Sequence, residues 1–182
     1  MGSWWILLAR KEAFMTDRNF TEAEFLSFLE GQRARVQEAQ KVTMEGAANT
    51  LLKDARSTVG TYQREDMGPL PPWAELADST KDDRVRQGYP ENEPGLRSGE
   101  MRDSYQTRVP DAHHIVLGSN DPKAVFFENG TVKQPPRPVI ATALFRKHHD
   151  ITRQIAKSLT RAIGGGNIFT SANDASDPET WQ

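Results

Sequence analysis

Apolar positions Val36, Ala39, Thr43, Ala47, Leu51 and Ala55 recur at steps of three and four, the period that puts one stripe along an amphipathic helix. Upstream, Thr21 and Glu24 have the spacing of a capping box, and Phe20 stands at the staple position. The pattern predicts a long helix opening at Thr21 and ending at Gly60, where the backbone can turn left-handed. A second helix is predicted from Val139 to Ile163, with Leu144, His148, Ile151, Ile155, Leu159 and Ala162 as its buried stripe.

Between the helices, runs at Ser104–Val109, His113–Ser119 and Ala124–Gly130 are rich in β-branched and aromatic residues. Pro110-Asp111 and Asn120-Asp121-Pro122 separate them, so they read as an antiparallel meander. The expected fold class is α+β, a small antiparallel sheet of about three to four strands flanked by the two helices.

Residues 62–100 break both periodicities with prolines, glycines and charges. So long an excursion in a compact domain is expected to be flexible or functional, with Trp73 and Leu76 as a short helical anchor. The expected organisation is an N-terminal arm over 1–19, one domain over 20–163 and a flexible tail over 164–182, opened by Gly164-Gly165-Gly166. The run Trp4–Ala9 is too short to span a bilayer and lacks the flanks of a signal peptide. It reads as a sticky arm or as the product of an upstream start or of cloning, with Met15 as an alternative start.

Only 36% of the 182 residues are hydrophobic, so part of the chain is expected to be tail or subunit surface. A formal charge of −2 excludes a globally basic nucleic-acid binder. The absence of cysteine excludes disulfides, zinc–thiolate sites, iron–sulfur clusters and thiol nucleophiles.

Candidate chemistry is sparse. His113-His114 and His148-His149 are adjacent pairs that cannot chelate by themselves, since neighbours point to opposite faces of a strand or about 100° apart on a helix. One member of each pair, with Glu128 or Asp150, would make a metal site; the ordinary reading puts His114 and His148 in or near the core. Glu91, Glu93 and Glu100 would make an acid–base pair, against the ordinary reading of a solvated acidic loop. The second helix carries Arg146, Arg153, Lys157 and Arg161 side by side, relieved only by Asp150. That stripe suits an acidic partner subunit or DNA phosphates, or is an ordinary solvated face.

Read in order, "GLRSGEMRDSY", "HHIVLGSNDPKAVFFENGT" and "PPRPVIATAL" resemble the tail-completion and head–tail joining proteins of long-tailed phages, including the Mu-type virion-morphogenesis proteins. Gly99, Met101 and Ser104 match a Gly-x-Leu-x-x-Ser segment with Met in place of Leu. Val116 to Ser119 match a strand-ending step, Glu128, Gly130 and Thr131 a strand-closing "E-x-G-T", and Pro136 to Pro138 a "P-x-R-P" loop before the last helix. Val139 stands where an aromatic is common, and "PPWAELADST" is similar to a further family step. The matches cover Leu96 to Ile163.

The resemblance implies a non-enzymatic virion protein without a cofactor, assembled in the host bacterial cytoplasm. It would form a homo-hexameric ring at the head–tail junction, between a neck or connector protein and the tail-tube protein. DNA would pass through without sequence-specific binding, and no membrane is involved. On this reading the loop from Thr131 to Pro138 is stiffened to present Arg137 and Glu128 to a neighbouring subunit. Gly130, Thr131, Pro138, Arg146, Arg153, Lys157 and Arg161 complete the expected interface. The rivals are a small metal-dependent enzyme and a nucleic-acid-binding accessory protein using the basic C-terminal helix.

Overall fold

The computed structural model describes residues 21–65 and 68–164. The arm over 1–19 and the tail from 165 lie outside the described residues. The chain divides into two units, Met1–Arg35 and Val36–Gln182.

Helix α1 (Glu22–Thr58) contributes to both units. In the first, Thr21 and Glu24 form the predicted capping box: the Thr21 amide and hydroxyl both donate to the Glu24 carboxylate at 2.9 Å, and the Glu24 amide donates back to the Thr21 hydroxyl. Those hydrogen bonds lower the Glu24 carboxyl from its ordinary value.

In the second unit the predicted stripe faces inward, with Ala39, Ala47, Leu51 and Ala55 buried. Gly60 ends the region at φ 97° and donates to the Pro94 carbonyl. Helix α2 (Asp78–Arg86) and the short α3 (Glu100–Ser104) follow, then strands β1 (Tyr105–Asp111) and β2 (His114–Ser119). Helices α4 (Pro122–Asn129) and α5 (Ile140–Ile163) complete the unit.

The fold is α+β, but among the described residues the sheet has two antiparallel strands, not three or four. Register runs from Tyr105 opposite Ser119 to Asp111 opposite His114, with an irregularity at Pro110 where β1 has no amide to donate. The predicted third strand, Ala124–Gly130, is helical. Asp121 caps it by accepting the Lys123 amide at 2.9 Å, and Pro122 fits the first turn. Ala124 and Phe127, three apart, are its buried residues, so the helical period prevailed over the β propensity of "AVFF".

The main core joins Ala55 and Val59 of the α1 end, Trp73, Met101, Tyr105, Ala124, Phe127, Val139 and Ala143. A second cluster packs Ala47 and Leu51 on Ile151, flanked by Ile115, Leu117 and Ile155. The inner face of α5 therefore holds Ala143, Ile151 and Ala162, with Ile155 and Leu159 half-buried. Leu144 and His148, expected on that stripe, are exposed, because the buried line of α5 starts one residue earlier, at Thr142 and Ala143.

Residues 62–65 and 68–100 pack onto the core through internal contacts. Trp73 is buried edge-on to Phe127, its ring centroid 5.5 Å away. Arg84 is 7% exposed and donates to the carbonyls of Pro90, Glu93 and Leu96 at 2.9–3.1 Å. One guanidinium gathers three turns of chain that have no periodic secondary structure to satisfy them. Among the described residues no helix is long and apolar enough to cross a membrane.

Candidate functional site

The segment from Glu128 to Thr142 forms a clasp. At its start, Gly130 adopts φ 74°, and a Cβ there would lie 2.8 Å from the Pro136 nitrogen and 2.9 Å from the Gln134 carbonyl. Only glycine lets the chain fold back this tightly. Thr131 and Gln134 then close a turn by exchanging backbone hydrogen bonds at 2.8 and 3.2 Å. The tip is outermost, with Val132 fully exposed.

The turn returns the chain so that the Arg137 amide donates to the Phe127 carbonyl at 2.8 Å. Glu128, one residue on, points its carboxylate at the start of α5. It accepts the amides of Val139 at 2.7 Å, Ile140 at 3.1 Å and Ala141 at 3.0 Å. These are N–H groups that a helix start leaves without intrahelical partners, and the helix dipole favours the negative charge there. Pro138 contributes its carbonyl to the Thr142 hydroxyl at 2.6 Å.

Arg137 does not face outward. It is 3% exposed, and its guanidinium donates to the carbonyls of Ala74 at 2.8 and 3.1 Å and Glu75 at 3.2 Å. Burial pushes the guanidinium below its ordinary value, but an arginine remains charged there. The expectation that the loop holds Arg137 and a strand end at Glu128 ready for a neighbour is corrected: the Arg137 guanidinium pins 74–75 inside the chain, and Glu128 belongs to a helix and caps α5. The stiffness of the loop serves the fold first.

The basic face of α5 also divides. Arg146 turns inward, bonding the Asp54 carboxylate at 2.9 and 3.2 Å, the Gln63 side-chain oxygen at 2.8 Å and the Thr58 hydroxyl. Lys147 adds a 3.7 Å contact to Asp54. Arg153, Lys157 and Arg161 remain exposed. Further along, the Thr43 and Ser158 hydroxyls meet at 2.6 Å, so α5 runs antiparallel to α1.

The histidines do not converge. His114 is exposed and pairs with Asp111 at 2.8 Å, while His148 bonds the Phe145 carbonyl and lies against His149. The ordinary reading that buried His114 and His148 is corrected along with the shared site, since the outer faces of β2 and α5 carry them. Among the described residues no group of His, Asp or Glu is placed to hold a metal ion. Glu100 pairs with Lys123 at 3.5 Å, and the Glu93 carbonyl is taken by Arg84.

Sequence reasoning missed Arg84, Asp54 and Gln63. Asp54 carried a usable signal, a carboxylate one residue before the apolar Ala55 on the stripe. Arg84 carried none, because its three acceptors are backbone carbonyls. A cleft of about 180 Å³ between α1, the β-hairpin tip and α5 is lined by Gln40, Thr43, Met44, His113 and Ile155 among others. Comparison of the chain with family models, with curated proteins and with solved structures found no match.

Proposed function

We propose that this chain is a structural virion protein of a tailed phage or prophage, forming a ring at the head–tail junction that completes the tail and joins it to the head. The observation that carries the reading is that the resembling motifs are one physical unit. Met101 and Tyr105 lie in the core beside Phe127, Glu128 caps α5, and Arg137 ties the same loop to residues 74–75. Spacing kept across Leu96 to Ile163 thereby acquires a mechanical reason, a clasp that fixes α4, the turn at Val132 and the start of α5 as one rigid body. A ring subunit needs such surfaces held in register before assembly.

In this reading Gly130, Thr131 and Pro138 shape the turn, and Arg153, Lys157 and Arg161 are outward contacts. A homo-hexamer would sit between a neck or connector protein and the tail-tube protein, with DNA passing through it.

Deletion of the gene with complementation, followed by electron microscopy of the particles, tests it. Filled heads beside unattached tails, or tails of irregular length, are the expected result. Normal infectious particles would overturn it. The exposed Arg153 and Lys157 favour one second reading, nucleic-acid binding, which predicts binding that weakens steeply with salt and is lost in Arg153→Glu.

A further inference from the structure

The excursion and α5 carry opposite charge. Residues 62–100 hold nine carboxylates against five cations, and α5 holds five cations against one carboxylate. Part of this is consumed internally, Arg146 and Lys147 on Asp54. What stays exposed is patterned.

Helix α2 exposes Asp78, Asp82 and Arg86 at successive steps of four, along one face. Helix α5 exposes Asp150, Arg153 and Lys157 at steps of three and four, also along one face. The stripes have nearly equal lengths, about 12 Å and about 10.5 Å at 1.5 Å per residue. Among the described residues the Asp78 carboxylate, 97% exposed, ion-pairs with Lys81 at 3.5 Å; Arg86 ion-pairs with Asp83 at 3.9 Å, an exposed contact of little worth, and its Nε donates to the Asp82 carbonyl at 3.4 Å. The side chains of Asp82, Asp150, Arg153 and Lys157 have no ion pair among the described residues.

We infer that α2 of one copy docks antiparallel on α5 of the next, pairing Asp78 with Lys157, Asp82 with Arg153 and Arg86 with Asp150. Orientation follows from the charges. Laid parallel, the same stripes would set Asp78 against Asp150 and Arg86 against Lys157, two repulsions that exclude that arrangement. Because the two stripes are different patches, the contact is heterologous and propagates from copy to copy, closing into a ring when the rotation allows. Duplex DNA would satisfy Arg153 and Lys157 but is repelled by Asp150 and gives the α2 stripe no role. The inference rests on the ring reading and names the surface that builds the ring.

The chain has no cysteine, so introduced pairs report without background. A chain carrying both Asp82→Cys and Arg153→Cys, mildly oxidised at low salt, is expected to give a ladder of covalent multimers ending at the ring size. Either single variant gives dimers at most. Charge reversal supplies the complement: Asp82→Arg or Arg153→Asp disassembles the oligomer read by native mass spectrometry, and the two together restore it, with circular dichroism unchanged throughout. A wild-type oligomer with no ladder and no response to reversal overturns this interface and leaves the ring reading standing. A wild-type monomer at every concentration, with no ladder, overturns both. Arg153→Asp abolishing DNA binding while Asp82→Arg changes nothing overturns the inference in favour of nucleic acid.

Discussion

Glu128 accepts the backbone N–H of Val139 at 2.7 Å, so a residue near the end of one helix supplies the cap of the next across an eleven-residue return. The same carboxylate takes the Ile140 and Ala141 amides. Glu128→Ala removes cap and charge together and is expected to cost about 1–2 kcal/mol in urea unfolding. Glu128→Gln keeps the shape and one acceptor oxygen and should recover part of that loss. Equal midpoints for all three proteins would show that the cap contributes nothing.

Arg137 is fixed by two carbonyls, so its removal leaves Ala74 and Glu75 without their donors and opens a buried gap beside Phe127. Arg137→Ala is expected to destabilise the fold by about 2–4 kcal/mol. Hydrogen exchange should quicken at residues 73–76 before elsewhere. Any loss of ring assembly in this variant then follows from a loosened 62–100 segment. Unchanged exchange there, with assembly lost, would restore an outward role for the arginine.

The helices were legible because their burial is periodic: α1 and α5 match their predicted bounds to within a turn, although Leu144 and His148 fall off the buried face, and the Thr21–Glu24 box marks the start of α1. The third strand was misread because four residues of "AVFF" favour β locally while Asp121-Pro122 start a helix, and the cap prevails once Ala124 and Phe127 find the core. The sequence drew attention to the loop around Arg137, but the direction of that side chain was not legible in it. Whether an arginine between prolines faces a neighbour or its own chain depends on which carbonyls lie within reach, and Ala74 is 63 residues away. Periodicity carries no information at that range, while Arg84 gave no sign of its role because its acceptors, 6 to 12 residues on, are backbone carbonyls.

Asp54 and Arg146 join α1 to α5 with side chains 13% and 28% exposed, and Thr58 and Gln63 fill the remaining donors of the fork. Such an arrangement should couple more strongly than an exposed pair. A double-mutant cycle of Asp54→Ala and Arg146→Ala is expected to return about 1–2 kcal/mol of interaction energy, falling only slightly in 0.5 M salt, a concentration at which the Debye length is about 4 Å. A value near zero would assign the whole effect to packing of the arginine stem.

Tyr105 is 0% exposed, and its hydroxyl has no hydrogen-bond partner among the described residues. Burial first, then the Glu128 and Asp121 charges, raise its ionisation above the ordinary phenol value. A phenol raised in the folded state keeps its proton while the unfolded chain releases one, so stability is unaffected by this group at neutral pH. It falls once pH rises past about 10, by about 1.4 kcal/mol per pH unit until the folded-state value is reached. Tyr105→Phe removes the unpartnered hydroxyl and that titration together. The variant is expected to match or exceed the parent by about 1 kcal/mol at pH 7 and to flatten the alkaline limb of the stability profile. A loss of more than about 1 kcal/mol at pH 7 would mean that the hydroxyl makes a favourable polar interaction in the folded chain.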